Sequence, residues 1–352
     1  MKKTMAYMLS AVLLLGNLIA CDSSSITPHD THPAETPDTT AEVTATETSD
    51  ESETDSPTSP TVYTAVEQLA EDKAVTTVQA VVHTELESMD MSQLPENYAA
   101  ALIGVRDRIQ TYEVLYRVDG CTVASFISVP KDYTDSTRPL LIYNRGGNGN
   151  FGASSALEIA MMAQLTDCIV IASQYRETKP GTGKDEFGGS DVDDVMFWVD
   201  RVKDMSFVNT EKVYMVGVSR GGMQTCLALK ADTDRVITKA VCVSGVYDLT
   251  ATYESREDMR DMLARRVGGT PTTAPEAYAT RSAVNFATDL YTPLLLIHSK
   301  EDQQVDYAQF TAFAEKLEQA GKDYDLITRE TASHGLETID EWKTIMDWLA
   351  QQ

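Results

Sequence analysis

Basic residues are in short supply in this chain. It has 29 Lys and Arg against 54 Asp and Glu over 352 residues, a formal net charge of −25. A surface of that sign repels phosphate backbones, and no basic patch offsets it, so nucleic acid is not expected as a partner. Long apolar runs are equally scarce. Only one stretch, near residues 5–20, approaches spanning length, and it sits at the N-terminus, which excludes a polytopic membrane protein. No internal repeat is present, and no pair of the five cysteines has the spacing of a zinc site. What is there, 42% hydrophobic and 7% aromatic residues, can bury a core. That excludes a wholly disordered or fibrous chain.

The N-terminus reads as an address. Lys2 and Lys3 precede an apolar run ending Ala11-Val12-Leu13-Leu14-Leu15-Gly16-Asn17-Leu18-Ile19-Ala20, the pattern of a secretory signal over residues 1–20. Leu18-Ile19-Ala20-Cys21 resembles the lipobox of bacterial lipoproteins. The resemblance implies a diacylglycerol-modified, N-acylated Cys21 that anchors the exported protein to a bacterial membrane, on its periplasmic or cell-surface side. An ordinary signal peptide or an anchor helix that happens to end at a cysteine is the alternative. Residues 22–60 carry ten carboxylates, no Lys or Arg, and otherwise mainly Thr, Ser and Pro. Such a segment cannot repay its ordering entropy and is expected to be a solvated, self-repelling linker, with His29 and His32 as idle members of it. Of the other cysteines, Cys168, Cys226 and Cys242 lie in apolar runs, where a thiol acts as a small hydrophobe; Cys121 is the fourth. Export permits disulfides, and four cysteines allow three pairings, so the pairing stays open.

Residues 61–352 are expected to form one large α/β domain. Its first part, about 62–110, reads as helical, with Val66, Leu69 and Ala70, then Tyr98, Leu102, Val105 and Ile109 at helical spacing. Two alternating runs flank Asp119-Gly120, a hairpin signal. Short apolar runs then alternate with helical segments: residues 140–143, 169–172, 212–217, 240–244 and 294–298. That pattern implies a mainly parallel central sheet covered by helices on both faces, with the chemistry beyond the carboxyl ends of the strands.

Gly217-Val218-Ser219-Arg220-Gly221-Gly222 follows one of these strands and opens a helix. It is a G-x-S-x-G nucleophile elbow in its required context, and it makes Ser219 the candidate nucleophile. A serine needs a base. Among five histidines, His29 and His32 lie in the linker, His83 precedes the serine, and His298 comes before the next carboxylates, whereas the triad in this architecture runs serine, acid, histidine. His334 remains. Asp302, in the turn after the apolar strand at 294–298, is the preferred acid, with Asp248 and Glu301 as alternatives. It would hold the His334 tautomer and stabilise the imidazolium. An oxyanion hole would take the backbone N–H of Arg220 and one from the loop Tyr143-Asn144-Arg145-Gly146-Gly147, with Gly146 chosen and Gly147 open. Arg145 is read either as an anion-binding residue or as a surface arginine.

From about Tyr112 to Leu349 the chain resembles the catalytic domain of the prolyl oligopeptidase family, within the α/β-hydrolase fold. The resemblance rests on the Asp119-Gly120 hairpin leading to Val129-Pro130, on Gln174-Tyr175-Arg176 with Phe187-Gly188-Gly189 and Asp193-Asp194, and on the serine elbow. Arg281-Ser282-Ala283-Val284-Asn285 and the Asp302 and His334 segments complete it. It implies Ser219, Asp302 and His334 as the triad, cleavage of peptide or ester acyl bonds, and a structural role for Asp193 and Asp194. Two departures stand out. Residues 61–111 are too few for the β-propeller that many members carry, and Arg145 stands where some place an oxyanion-binding tyrosine. Three functions follow in order: a membrane-anchored serine peptidase of small substrates, a carboxylesterase acting on small or sugar esters, and a non-catalytic binding lipoprotein. No metal or organic cofactor is implied.

Overall fold

A computed structural model describes residues 62–351. The segments read as a signal sequence and a linker, with Cys21 between them, lie outside the described residues. Nine strands are found within them: β1 (Val75–Val81), β2 (Ile109–Val118), β3 (Cys121–Pro130), β4 (Arg138–Asn144), β5 (Ile169–Ser173), β6 (Val208–Val218), β7 (Lys239–Val243), β8 (Leu294–Ser299) and β9 (Tyr324–Arg329). They make one sheet in the order β1-β2-β3-β5-β4-β6-β7-β8-β9. β1, β2 and β3 pair antiparallel, as β3 does with β5, and β4 to β9 run parallel, each strand after β4 reached through a crossover. The helices are α1 (Glu96–Arg108), α2 (Ala156–Thr166), α3 (Asp191–Val199), α4 (Arg220–Ala231), α5 (Leu249–Ser255), α6 (Arg260–Val267), α7 (Pro275–Ala279), α8 (Tyr307–Gln319) and α9 (Ile339–Leu349). This is an α/β-hydrolase fold, and the described residues include no propeller.

Successive side chains of a strand point to opposite faces, so a continuous apolar run feeds two cores. Leu140 and Ile142 of β4 pack with Phe197 of α3, Met223 of α4 and Phe313 of α8. Leu141 and Tyr143 pack with Leu102 of α1, Ile159 of α2 and Trp342 of α9. The two layers clamp the carboxyl ends of β4, β6, β7 and β8, where the loops carry the site. Asp119 and Gly120, both at positive φ (51° and 76°), turn the hairpin between the paired Val118 and Cys121. Two positive φ values in succession give a turn whose twist matches the strands.

Two elements differ from the sequence expectation. Residues 62–110 are not helical throughout, because β1 lies within them and pairs with β2, Val78 opposite Val114. The run Val75-Thr76-Thr77-Val78 is β-branched, and such side chains suit a pleated surface better than a helix turn. β9 closes the other edge. None of its residues is buried, and it lacks the continuous apolar run that marks β8 beside it. The four described cysteines, Cys121, Cys168, Cys226 and Cys242, are all free thiols. Burial pushes the Cys168 thiol up to about 12.

Candidate active site

The site is built on the turn from β6 into α4. Ser219 holds φ 59° and ψ −123°, a conformation that a non-glycine residue adopts only when its surroundings impose it. Here the surroundings leave no room for another path. A Cβ on Gly217 would meet the carbonyl of Gly221 at 2.1 Å, one on Gly221 would meet that of Asn144 at 1.9 Å, and one on Gly222 would meet Gly245 at 2.7 Å. Only glycines permit so tight a turn against β4 and the turn after β7. The serine is pinned at both backbone groups, its N–H donating to the Val243 carbonyl (2.9 Å) and its carbonyl accepting from Val246 (3.3 Å).

His334 reaches the same turn from another direction. The N–H following it, on Gly335, donates to Ser244 Oγ at 3.3 Å. Its ring meets Asp302 at 2.8 Å, Nδ1 to Oδ2. A carboxylate only accepts, so Nδ1 is a protonated nitrogen and donates to it. Nε2 is buried and has no partner among the described residues. No hydrogen bond joins it to Ser219, and such catalytic contacts commonly close only when substrate is bound. Asp302 Oδ1 accepts the N–H groups of Gln304 (2.8 Å) and Val305 (3.1 Å). Burial pushes the Asp302 carboxyl up, but the hydrogen bond and charge of His334, with the two N–H donors, outweigh it and hold the group below the usual carboxylate range.

The other candidates fall elsewhere. Asp248 caps α5 by accepting from Ala251, Glu301 is exposed, and His83 bonds to Thr111 on β2. His298 is wholly buried among Tyr307 and Phe310, donating from Nε2 to the Val305 carbonyl at 3.0 Å. Its Nε2 also lies 3.5 Å from Asp302 Oδ2, so it backs the acid rather than facing the serine. Desolvation lowers its pKa and favours the neutral ring.

The loop after β4 lies against Ser219. A Cβ on Gly146 would stand 3.3 Å from Ser219 Cβ and 3.8 Å from its Oγ. The Arg220 N–H opens α4, where helical N–H groups have no intrahelical acceptor. Arg145 matches neither of its two sequence readings. It is 1% exposed, and its guanidinium is used up on the carbonyls of Gly146, Gly149, Phe151 and Gln174 and on Thr178 Oγ1. It is the internal brace of the loop. Asp194 likewise braces the frame, binding Arg176 through both carboxylate oxygens.

Two acids escaped notice in the sequence. Asp185 and Asp191 are buried beside Arg220, whose guanidinium binds both. The guanidinium sits against the rings of Tyr175 and Phe187 at 4.8 and 4.7 Å. The sequence carries no signal for them, because neither the burial of Arg220 nor its partner acids can be read from the linear order.

The model of the prolyl oligopeptidase family matches residues 173–352. An uncharacterised peptidase of Bacillus subtilis (strain 168), YtmA, is 28% identical over 226 residues, covering 64% of this chain and 86% of that protein. Dipeptidyl-peptidase 5 of Porphyromonas gingivalis is 24% identical over 233 residues, 61% of this chain but 33% of that one. Among solved structures, an acylaminoacyl peptidase in complex with Z-Gly-Gly-Phe-chloromethyl ketone superposes with a TM-score of 0.59 at 18% identity, over 70% of this chain and 42% of that one. A puromycin-hydrolysing peptidase of Mycobacterium tuberculosis gives 0.56 at 22%, over 68% and 39%. The chain thus spans about two fifths of the length of these solved structures.

Proposed function

From the premise that the chain belongs to the prolyl oligopeptidase family of serine peptidases, we propose that Ser219, His334 and Asp302 form its catalytic triad and that it cleaves acyl-amide bonds of small peptides. The observation that carries this reading is the His334 ring. Asp302 fixes its Nδ1, its Nε2 is buried with no partner among the described residues, and Ser219 and the His334 segment lean on one turn.

The chemistry follows from those atoms. Nε2 takes the Ser219 proton as Oγ attacks the scissile carbonyl, and His334 becomes an imidazolium that ionised Asp302 stabilises. The carbonyl oxygen gains the negative charge and is met by the N–H groups of Arg220 and Gly146. Collapse of the adduct expels the leaving amine, which takes the proton from Nε2. The acyl group stays on Ser219. Water then repeats the sequence, freeing the acid and restoring the serine.

Placement at a membrane belongs to the same reading. Lys2, Lys3, the apolar run and Cys21 support lipid attachment, with the acidic segment as a tether for the domain at 61–352.

The test is kcat/KM for a peptidyl amide and its matched ester, with Ser219→Ala beside the wild type. Amide turnover that disappears with the serine upholds the reading. Turnover of the ester alone makes the protein a carboxylesterase on a peptidase scaffold, and turnover of neither leaves a binding lipoprotein.

A further inference from the structure

Asp185 joins the loop that carries Gly146 to the side chain of Arg220. Its Oδ2 accepts the Gly149 N–H at 2.8 Å and Arg220 Nη1 at 2.7 Å. Its Oδ1 accepts Arg220 Nη2 at 2.7 Å and the Phe187 N–H at 2.8 Å. The carboxylate has no solvent exposure. Gly149 belongs to the loop that presents Gly146, and Arg220 is the residue that follows the nucleophile. The same guanidinium donates to the Gly147 carbonyl at 3.0 Å, so the loop is tied twice to the side chain whose own backbone supplies the second donor. Asp191 takes the remaining charge of Arg220 through Nη2 at 2.6 Å. It makes no hydrogen bond to the loop at 146–152 and uses its other contacts on the N–H groups of residues 186, 188 and 189.

We infer that Asp185 is the positioning residue of the oxyanion hole: it fixes the separation between the Gly146 and Arg220 N–H groups by binding the Gly149 N–H and the Arg220 guanidinium with one carboxylate. The inference rests on the triad reading above. Two N–H groups stabilise an oxyanion only if both lie within hydrogen-bond reach of the place it will occupy. They come from different elements, the loop after β4 and the first turn of α4. Nothing in the covalent chain holds them together, and buried charge-assisted hydrogen bonds have the length and direction to do so. Burial raises the Asp185 pKa, but the charge and hydrogen bonds of Arg220 and the backbone donors overcome it and bring the carboxyl to about 2. The group is therefore ionised wherever the enzyme works.

The experiment is Asp185→Asn in the full chain, on a chromogenic peptide ester, with kcat expressed per active site by burst titration. The amide turns a donor toward Arg220 or the Gly149 N–H, so kcat per site should fall about tenfold to a hundredfold while KM stays within about twofold. Inhibition by a peptidyl boronic acid should weaken by the same factor, because the oxygen of its tetrahedral adduct occupies the hole. A merely structural role would lower the titrated fraction and leave kcat per site and boronate affinity unchanged, and that result overturns the inference. If the variant yields no folded protein, Arg220→Lys decides. It keeps the backbone N–H and a cation but loses the forked contact, and it should show the same pattern more weakly; unchanged kcat per site overturns the inference. Ser219→Ala separates the two levels. Activity that survives it overturns the site reading and this inference with it, whereas activity lost there but unchanged at Asp185 overturns this inference alone.

Discussion

Asp302 and His334 stand 32 positions apart in sequence yet meet at 2.8 Å, Oδ2 to Nδ1, in the turns after β8 and β9. The parallel pairing of those strands brings their carboxyl ends side by side, Ser299 opposite Arg329. That register delivers Asp302 to His334. The other Asp302 oxygen is held by two backbone N–H groups, and Oδ2 faces the His334 imidazole, with His298 Nε2 behind it at 3.5 Å.

Asp302→Asn should therefore lower kcat by about 10⁴-fold on a chromogenic ester, with little change in KM. The amide leaves the ring free to hold the wrong tautomer. Glu301→Gln, one residue away and exposed, should stay within about twofold of wild type in the same assay.

The glycines around Ser219 should separate into two kinds. Gly146→Ala places a methyl group 3.3 Å from Ser219 Cβ and from the Val218 carbonyl, a clash that a few tenths of an ångström relieve. It should fold, with kcat lowered about tenfold or more and KM preserved, as expected for a displaced oxyanion donor. Gly221→Ala meets the Asn144 carbonyl at 1.9 Å, where only backbone can move. Its soluble yield and melting temperature should collapse. The readouts are steady-state kinetics for the first and thermal unfolding for the second.

Acid should loosen the protein through Asp185. Its folded pKa of about 2 lies below the ordinary unfolded value of about 3.9. As pH falls, the unfolded chain takes up the proton first, so the stabilisation is complete above about pH 4 and is lost between there and about pH 2. Urea midpoints measured down that range should fall for the wild type, and Asp185→Asn should lack that share of the decline.

Much of this was legible in the sequence. The Ser219 elbow declares itself because the glycines it requires are contiguous with it, and a buried parallel strand must be apolar on both faces. His334 was reached by elimination, and Asp302 by its place after an apolar strand. What could not be read is pairing that depends on three-dimensional register. β9 has the composition of an exposed edge, and β1 hides in a segment whose apolar residues also fit a helix. Arg145 and Arg220 look alike as loop arginines. Their burial follows from carbonyls and acids, among them Gln174, Asp185 and Asp191, that other loops bring up to them.

The N-terminal reading has its own check. Cys21→Ser should abolish incorporation of a labelled fatty acid and move the protein from the membrane fraction to the soluble one in a bacterial host. Residues 62–351 offer no helix long and apolar enough to cross a membrane, so retention there by the variant would point back to the N-terminal run as an anchor helix.

The most direct test of the triad is covalent. An organophosphorus ester traps only a serine whose proton can be taken, and peptide mapping after its reaction reads which one. We expect a single adduct on Ser219, formed by the wild type and lost in His334→Ala. An adduct on another residue, or equal labelling without His334, would contradict the assignment of Ser219 as nucleophile and His334 as its base.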